Sequence, residues 1–143
     1  MKRTIIALAA VVVLTAGIAV ATPSRGFTTK LLGAATFDSL SIQESEPSSV
    51  LFVRVEQEVG GTSGWHSHPA NVFVLVKQGR VVVIGEGDCA RALYTRGEIF
   101  RETPGHVHKA FNVGDNKVVL VATFVGVPPG AAPTKDETNP CLA

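Results

Sequence analysis

The chain has little of several things that would point to common functions. It has no run of lysines and arginines: 13 basic residues are balanced by 12 acidic ones over 143 residues, a formal net charge of +1. A basic stripe able to follow a phosphate backbone is missing, so no nucleic-acid partner is expected. Few stretches carry a helical period, and there is no internal repeat, low-complexity segment or second domain. In their place stand 14 glycines and 8 prolines between short apolar runs, the composition of a turn-rich all-β domain. Cysteine is scarce, with only Cys89 and Cys141, and histidine is confined to four residues in two pairs.

The N-terminus reads apart from the rest. Lys2 and Arg3 precede an almost wholly apolar run, Ile5 to Val20, and Ala19-Val20-Ala21 fits the small-x-small pattern of a cleavage site. This predicts a secretory signal peptide over residues 1–21, cut after Ala21, with an uncleaved N-terminal anchor as the alternative. At 16 residues the run is shorter than the ~20 needed to cross a bilayer. No stable membrane span is expected after cleavage, and without a following cysteine no lipoprotein anchor is expected. Losing Lys2 and Arg3 takes the 13 basic residues to 11 against 12 acidic, a nearly neutral mature chain. Export to the periplasm or the exterior exposes the chain to an oxidising compartment, which favours a Cys89–Cys141 disulfide.

The mature part reads as one domain of short strands. Residues 22–34 predict an N-terminal arm with a strand near Phe27 to Leu32, and Ala35 to Leu40 predicts another. Val50 to Val59 alternates, with Leu51, Val53 and Val55 opposite Phe52, Arg54 and Glu56, as a half-buried strand does. Val72 to Val76 is apolar and β-branched, like a strand buried on both faces. Gln78-Gly79 predicts a hairpin turn into Arg80 to Ile84. Strands follow at Cys89 to Tyr94, His106 to Asn112 and Lys117 to Val127, with Gly114-Asp115-Asn116 as a hairpin turn. Pro128 to Ala143 reads as an irregular tail. Strands with a turn every 6 to 12 residues suggest a small barrel or jelly roll.

The two histidine pairs organise this chain. His66 and His68, like His106 and His108, are two residues apart, the spacing that places side chains on one face of a strand. Two imidazoles so placed can hold a divalent metal, and four histidines in two pairs predict one site assembled from two distant strands.

The same stretches resemble the two motifs of the cupin superfamily. Gly60, five residues, His66-x-His68 and then Gly79 match the first motif; Gly97, Pro104, Gly105, His108 and Asn112 match the second. The resemblance covers roughly residues 45 to 127 and is to a small exported bacterial single-domain cupin. It implies a jelly-roll β-barrel over residues 22–127, arm included, with the tail at 128–143. It also implies that His66, His68 and His108 point inward and bind a metal, and that a homodimer is the expected assembly. One departure stands out. The family's motif carboxylate falls at position 72, which here is valine, and Phe73 at the alternative position is no ligand.

Three neutral imidazoles suit iron, zinc, copper, nickel or manganese and leave positions open for a small-molecule ligand. His106 reads as a residue at the rim of the site; a fourth ligand, or a base at its mouth, is the alternative. Glu102 is the nearest carboxylate before the turn, either solvated or reaching the site. His106 and Glu102 are thus the candidates for acid–base work. Asn112 reads as a turn or strand hydrogen-bonder rather than a ligand, and Trp65 as facing away from His66. Two functions remain open: a metal-dependent enzyme of oxygenase or isomerase type acting on a small polar molecule, or a non-catalytic module that holds a metal or a small ligand.

Overall fold

The computed structural model describes residues 30–44 and 46–141. The expected signal peptide over residues 1–21 and residues 22–29 of the expected arm lie outside them. Among the described residues there is no helix. The nine strands among the described residues run in the order β1 (Ser49–Gln57), β2 (His66–Ser67), β3 (Asn71–Gln78), β4 (Arg80–Gly85), β5 (Arg91–Thr95), β6 (Ile99–Glu102), β7 (His108–Asn112), β8 (Val118–Val127) and β9 (Lys135–Asp136). They form two antiparallel sheets, one ordered β1-β8-β3-β6 and the other β5-β4-β7-β2-β9. Val72, Val74 and Val76 of β3 and Leu120, Ala122 and Phe124 of β8 pack against Val81 of β4 and Ala110 of β7 in one core. The all-β jelly roll is therefore as the motifs imply.

The alternation in β3 explains its place. Val72, Val74 and Val76 are buried against the opposite sheet, while Phe73 and Leu75 are half-covered on the other face. That outer face is screened by the chain before β1, where the Phe37 ring meets Phe73 at 5.9 Å and Arg101 donates to the Ser39 carbonyl at 3.3 Å. The strand expected over Ala35 to Leu40 does not form, nor does the described part of Phe27 to Leu32. This segment lies on the face of a sheet, where side chains hold it and no ladder of backbone groups is open to it. In β1, at the sheet edge, Phe52, Arg54 and Glu56 point outward as expected, and Gln57 turns inward and is buried.

Both expected hairpins are absent. Gln78-Gly79 joins β3 to β4 and Gly114-Asp115-Asn116 joins β7 to β8, but in each case the two strands belong to different sheets. Gly79 makes the first corner at φ +83°, and a Cβ there would meet the Lys117 carbonyl at 3.0 Å. The turn residues were legible; their use as corners depends on which sheet each strand joins. Asn112 anchors the second corner, its amide donating to the carbonyls of Gln57, Glu58 and Asn116 and its Oδ1 accepting from Gly114 N.

The tail is less irregular than its composition suggests. Lys135–Asp136 pairs with β2, His66 opposite Asp136 and Ser67 opposite Lys135. Glu137 adds a bond from its N–H to the Trp65 carbonyl at 2.9 Å, and its side chain accepts from the Ser67 hydroxyl at 2.9 Å. Cys89 and Cys141 are joined, as expected, with Cα atoms 6.0 Å apart.

Candidate metal centre

Three of the four histidines converge. His66 in β2 lies directly opposite His108 in β7, and His68 follows two residues after His66 on the same face. Their rings pack in a triangle, with centroids 4.4 to 5.0 Å apart. One ring nitrogen from each lies within 4.8 Å of the others. All three side chains are buried, His108 most completely at 1% exposed.

The orientation of each ring is set by a backbone carbonyl. Nδ1 of His66 donates to Gly64 O at 3.0 Å, Nδ1 of His68 to Pro133 O at 2.8 Å, and Nδ1 of His108 to His106 O at 2.9 Å. A carbonyl can only accept, so each Nδ1 carries its proton, and in the neutral ring each Nε2 presents a lone pair. Sequence inspection could not supply this. One carbonyl comes from the turn before β7, one from the loop before β2, and one from the tail, 65 residues from its histidine.

Glu102, at the end of β6, faces this cluster. Its side chain is 9% exposed; Oε2 lies 3.2 Å from His68 Nε2 and Oε1 lies 3.1 Å from His108 Nε2. The solvated position is thus not the one observed. Although the separation from His108 is short, its direction is not that of a hydrogen bond, and His108 Nε2 is a buried polar atom without a hydrogen-bond partner. A carboxylate facing imidazole lone pairs is an array of acceptors only. Burying it without a cation costs several kcal/mol. The residues therefore fit a bound metal cation, which would satisfy all of them together.

Without a metal, protons take that role. Burial would raise the Glu102 pKa from its ordinary 4.5, but His108 and His68 more than offset this and hold it down to about 2. Burial would lower His108, but Glu102 raises it overall. His66 is lowered, chiefly by burial. The signs follow from linkage. The Glu102 contribution to stability is present above 4.5 and is lost as pH falls through about 2. The metal-free protein should therefore lose unfolding free energy between ~pH 5 and ~pH 2.5, and E102Q should lose less over the same interval. Urea titrations at stepped pH measure both, and parallel pH profiles would contradict the pairing.

His106 stands outside the triangle. The strand expected from His106 begins at His108, so His106 belongs to the preceding turn, and its ring centroid is 6.3 Å from that of His108. Its imidazole lies against Gly85, where any Cβ would collide with it. His106 and Glu102 both line a hollow of about 260 Å³ beside Tyr94 and Thr103. On the other side of Glu102, a cavity of about 250 Å³ opens onto His66 and His68. Its walls are Val53, Val55, Val74, Leu120 and Phe124, and no lysine or arginine lines it. Trp65 faces away, with the Lys109 ammonium 5.3 Å from its ring.

The comparisons agree with this picture. The model of the cupin domain matches residues 53–132, more than half of the chain. Fold and cluster together define the class, a cupin with a three-histidine cluster of the kind that can hold a metal ion. The chain belongs to the cupin family. No curated protein matches it. Among solved structures, a cupin-like protein from Thermotoga maritima superposes with TM-score 0.54 at 20% identity, covering 62% of this chain and 64% of that one. An oxalate oxidase in complex with the substrate analogue glycolate gives 0.52 at 31% identity, covering 57% and 44%. An oxalate decarboxylase formate complex from Lactobacillus farciminis gives 0.54 at 18% identity, covering 62% and 27%. The chain spans less than two thirds of the length of each, and the first and third share its fold.

Proposed function

We propose that this chain is an exported cupin that holds a divalent metal through His66, His68 and His108 and acts with it on a small molecule. The observation that carries this reading is the common orientation of the three rings, each Nδ1–H spent on a carbonyl and each Nε2 turned to one buried point. The Cys89–Cys141 disulfide supports export. A metal bound there supplies Lewis acidity or, if iron or copper, a redox couple, as an isomerase or oxygenase requires.

The chain's own residues suggest how a ligand would sit. Its polar end belongs at the histidines, and the apolar cavity walls take an uncharged or weakly charged body. An oxalate oxidase binds glycolate in a similar fold, but here no cationic side chain lines the cavity, so a small monoanion or neutral molecule suits this site better than a dianion. His106, in the hollow beyond Glu102, and Glu102 itself are the groups placed to accept or return a proton. The same centre without turnover would be a metal or ligand carrier, the outcome marked by metal that neither exchanges nor responds to small molecules.

The test is metal content. Protein exported with its disulfide intact is expected to carry about one metal per chain by elemental analysis, and the H66A/H108A variant essentially none. A wild type that stays metal-free after reconstitution would remove this reading.

A further inference from the structure

We infer that Glu102 is the carboxylate ligand of this centre, supplied from β6 in place of the one that the family's motif puts at position 72 of β3. The inference rests on the reading that the three histidines hold a metal.

Register carries it. In the β3–β6 ladder, Val72 lies directly opposite Glu102. Side chains at directly opposed positions leave the sheet on the same face with Cβ atoms about 5 Å apart. A carboxylate at 72 and one at 102 therefore address the same volume from neighbouring strands. Two carboxylates there would repel, and more so when buried. Valine at 72, fully buried, fills the vacated position with an apolar side chain and removes the repulsion.

The distances fit a ligand. The two Glu102 oxygens stand 3.1 and 3.2 Å from the Nε2 atoms of His108 and His68. Two donors bound to one ion at about 2.0–2.1 Å are separated by about 3.0 to 3.4 Å. No other cationic group pairs with Glu102 among the described residues, since its ion-pair partners are these two histidines alone. Its neighbour Arg101 reaches instead to the Ser39 carbonyl. The first shell then holds three neutral nitrogens and one anionic oxygen. That set binds harder ions such as manganese and iron(II) better than three imidazoles alone. It also moves Glu102 out of the proton-transfer pair and leaves His106 as the candidate there.

The test is transplantation of the carboxylate. Affinities for Mn(II) and Zn(II) are measured by chelator competition on the oxidised, exported protein, for wild type, E102Q and the double variant V72E/E102V. E102Q is expected to bind Mn(II) at least about tenfold more weakly, with a smaller loss for Zn(II). V72E/E102V is expected to recover most of the Mn(II) affinity, because the carboxylate returns to the same volume from the neighbouring strand. A carboxylate with a merely structural role would not be restored from position 72. Wild type that binds Mn(II) alongside E102Q that binds it equally well overturns this assignment and leaves the three-histidine reading standing. Wild type that binds neither ion overturns both.

Discussion

Asn112→Ala is expected to lower the unfolding free energy by about 3 kcal/mol and the melting temperature by roughly 10–15 °C. The side chain is 4% exposed and holds four backbone groups: its amide donates to Gln57 O at 3.2 Å, Glu58 O at 3.0 Å and Asn116 O at 2.9 Å, and its Oδ1 accepts from Gly114 N at 2.8 Å. It ties the end of β1 to the corner between β7 and β8, where the chain passes from one sheet to the other. Each net hydrogen bond is worth about 1 kcal/mol, and a buried carbonyl left unpaired costs more. Water reaching the half-covered groups recovers part of that, which keeps the total near 3 kcal/mol rather than the sum. Asn112→Asp should be at least as harmful, because a carboxylate cannot donate and would face three carbonyl oxygens. Thermal melts of the metal-free proteins measure the effect. A shift of under ~3 °C for Asn112→Ala would refute the corner role.

Removing the disulfide is expected to be as large a change and to reach the metal. The bond closes a loop with a sequence separation of 52, for which the chain-entropy model gives about 4 kcal/mol of stabilisation. What it holds in place matters more. Residues 133–141 supply the Pro133 carbonyl that orients His68, the short strand beside His66, and the Glu137 bonds to Trp65 and Ser67. An untethered tail leaves His68 free to change tautomer or rotate. C89S/C141S should therefore unfold about 4 kcal/mol more easily and bind metal some 10- to 100-fold more weakly, the range seen when a ligand loses its orienting partner. Serine substitution is preferable to a thiol reductant, which would compete for the metal. Equal metal affinity in the variant and the wild type would show that the tail orients His68 without the covalent tie.

Much of this architecture was legible in the chain, for local reasons. Apolar alternation in Ser49–Gln57 and the β-branched run after Asn71 specify strands because side-chain direction in a strand has a period of two. The same period makes His66-x-His68 a same-face pair, and the buried cluster follows from it. Gly79 announces a turn because glycine tolerates backbone conformations other residues avoid, and it stands at φ +83°. His106 shows the limit of such reasoning. Its spacing from His108 is that of His66 from His68, yet the strand starts only at His108, and the period of two does not apply in a turn.

The sequence by itself determined the all-β class, the strand-forming segments, the turn positions and the paired histidines, since each depends on neighbours a few residues away. Tertiary structure alone decided which strands share a sheet, so that two apparent hairpins became corners. It also placed Glu102 opposite Val72 and brought Pro133 to His68. These contacts join residues 30 and 65 positions apart in the chain. They are selected by the simultaneous burial of two sheet faces and by the need of every buried donor for an acceptor, conditions that only the assembled barrel can satisfy.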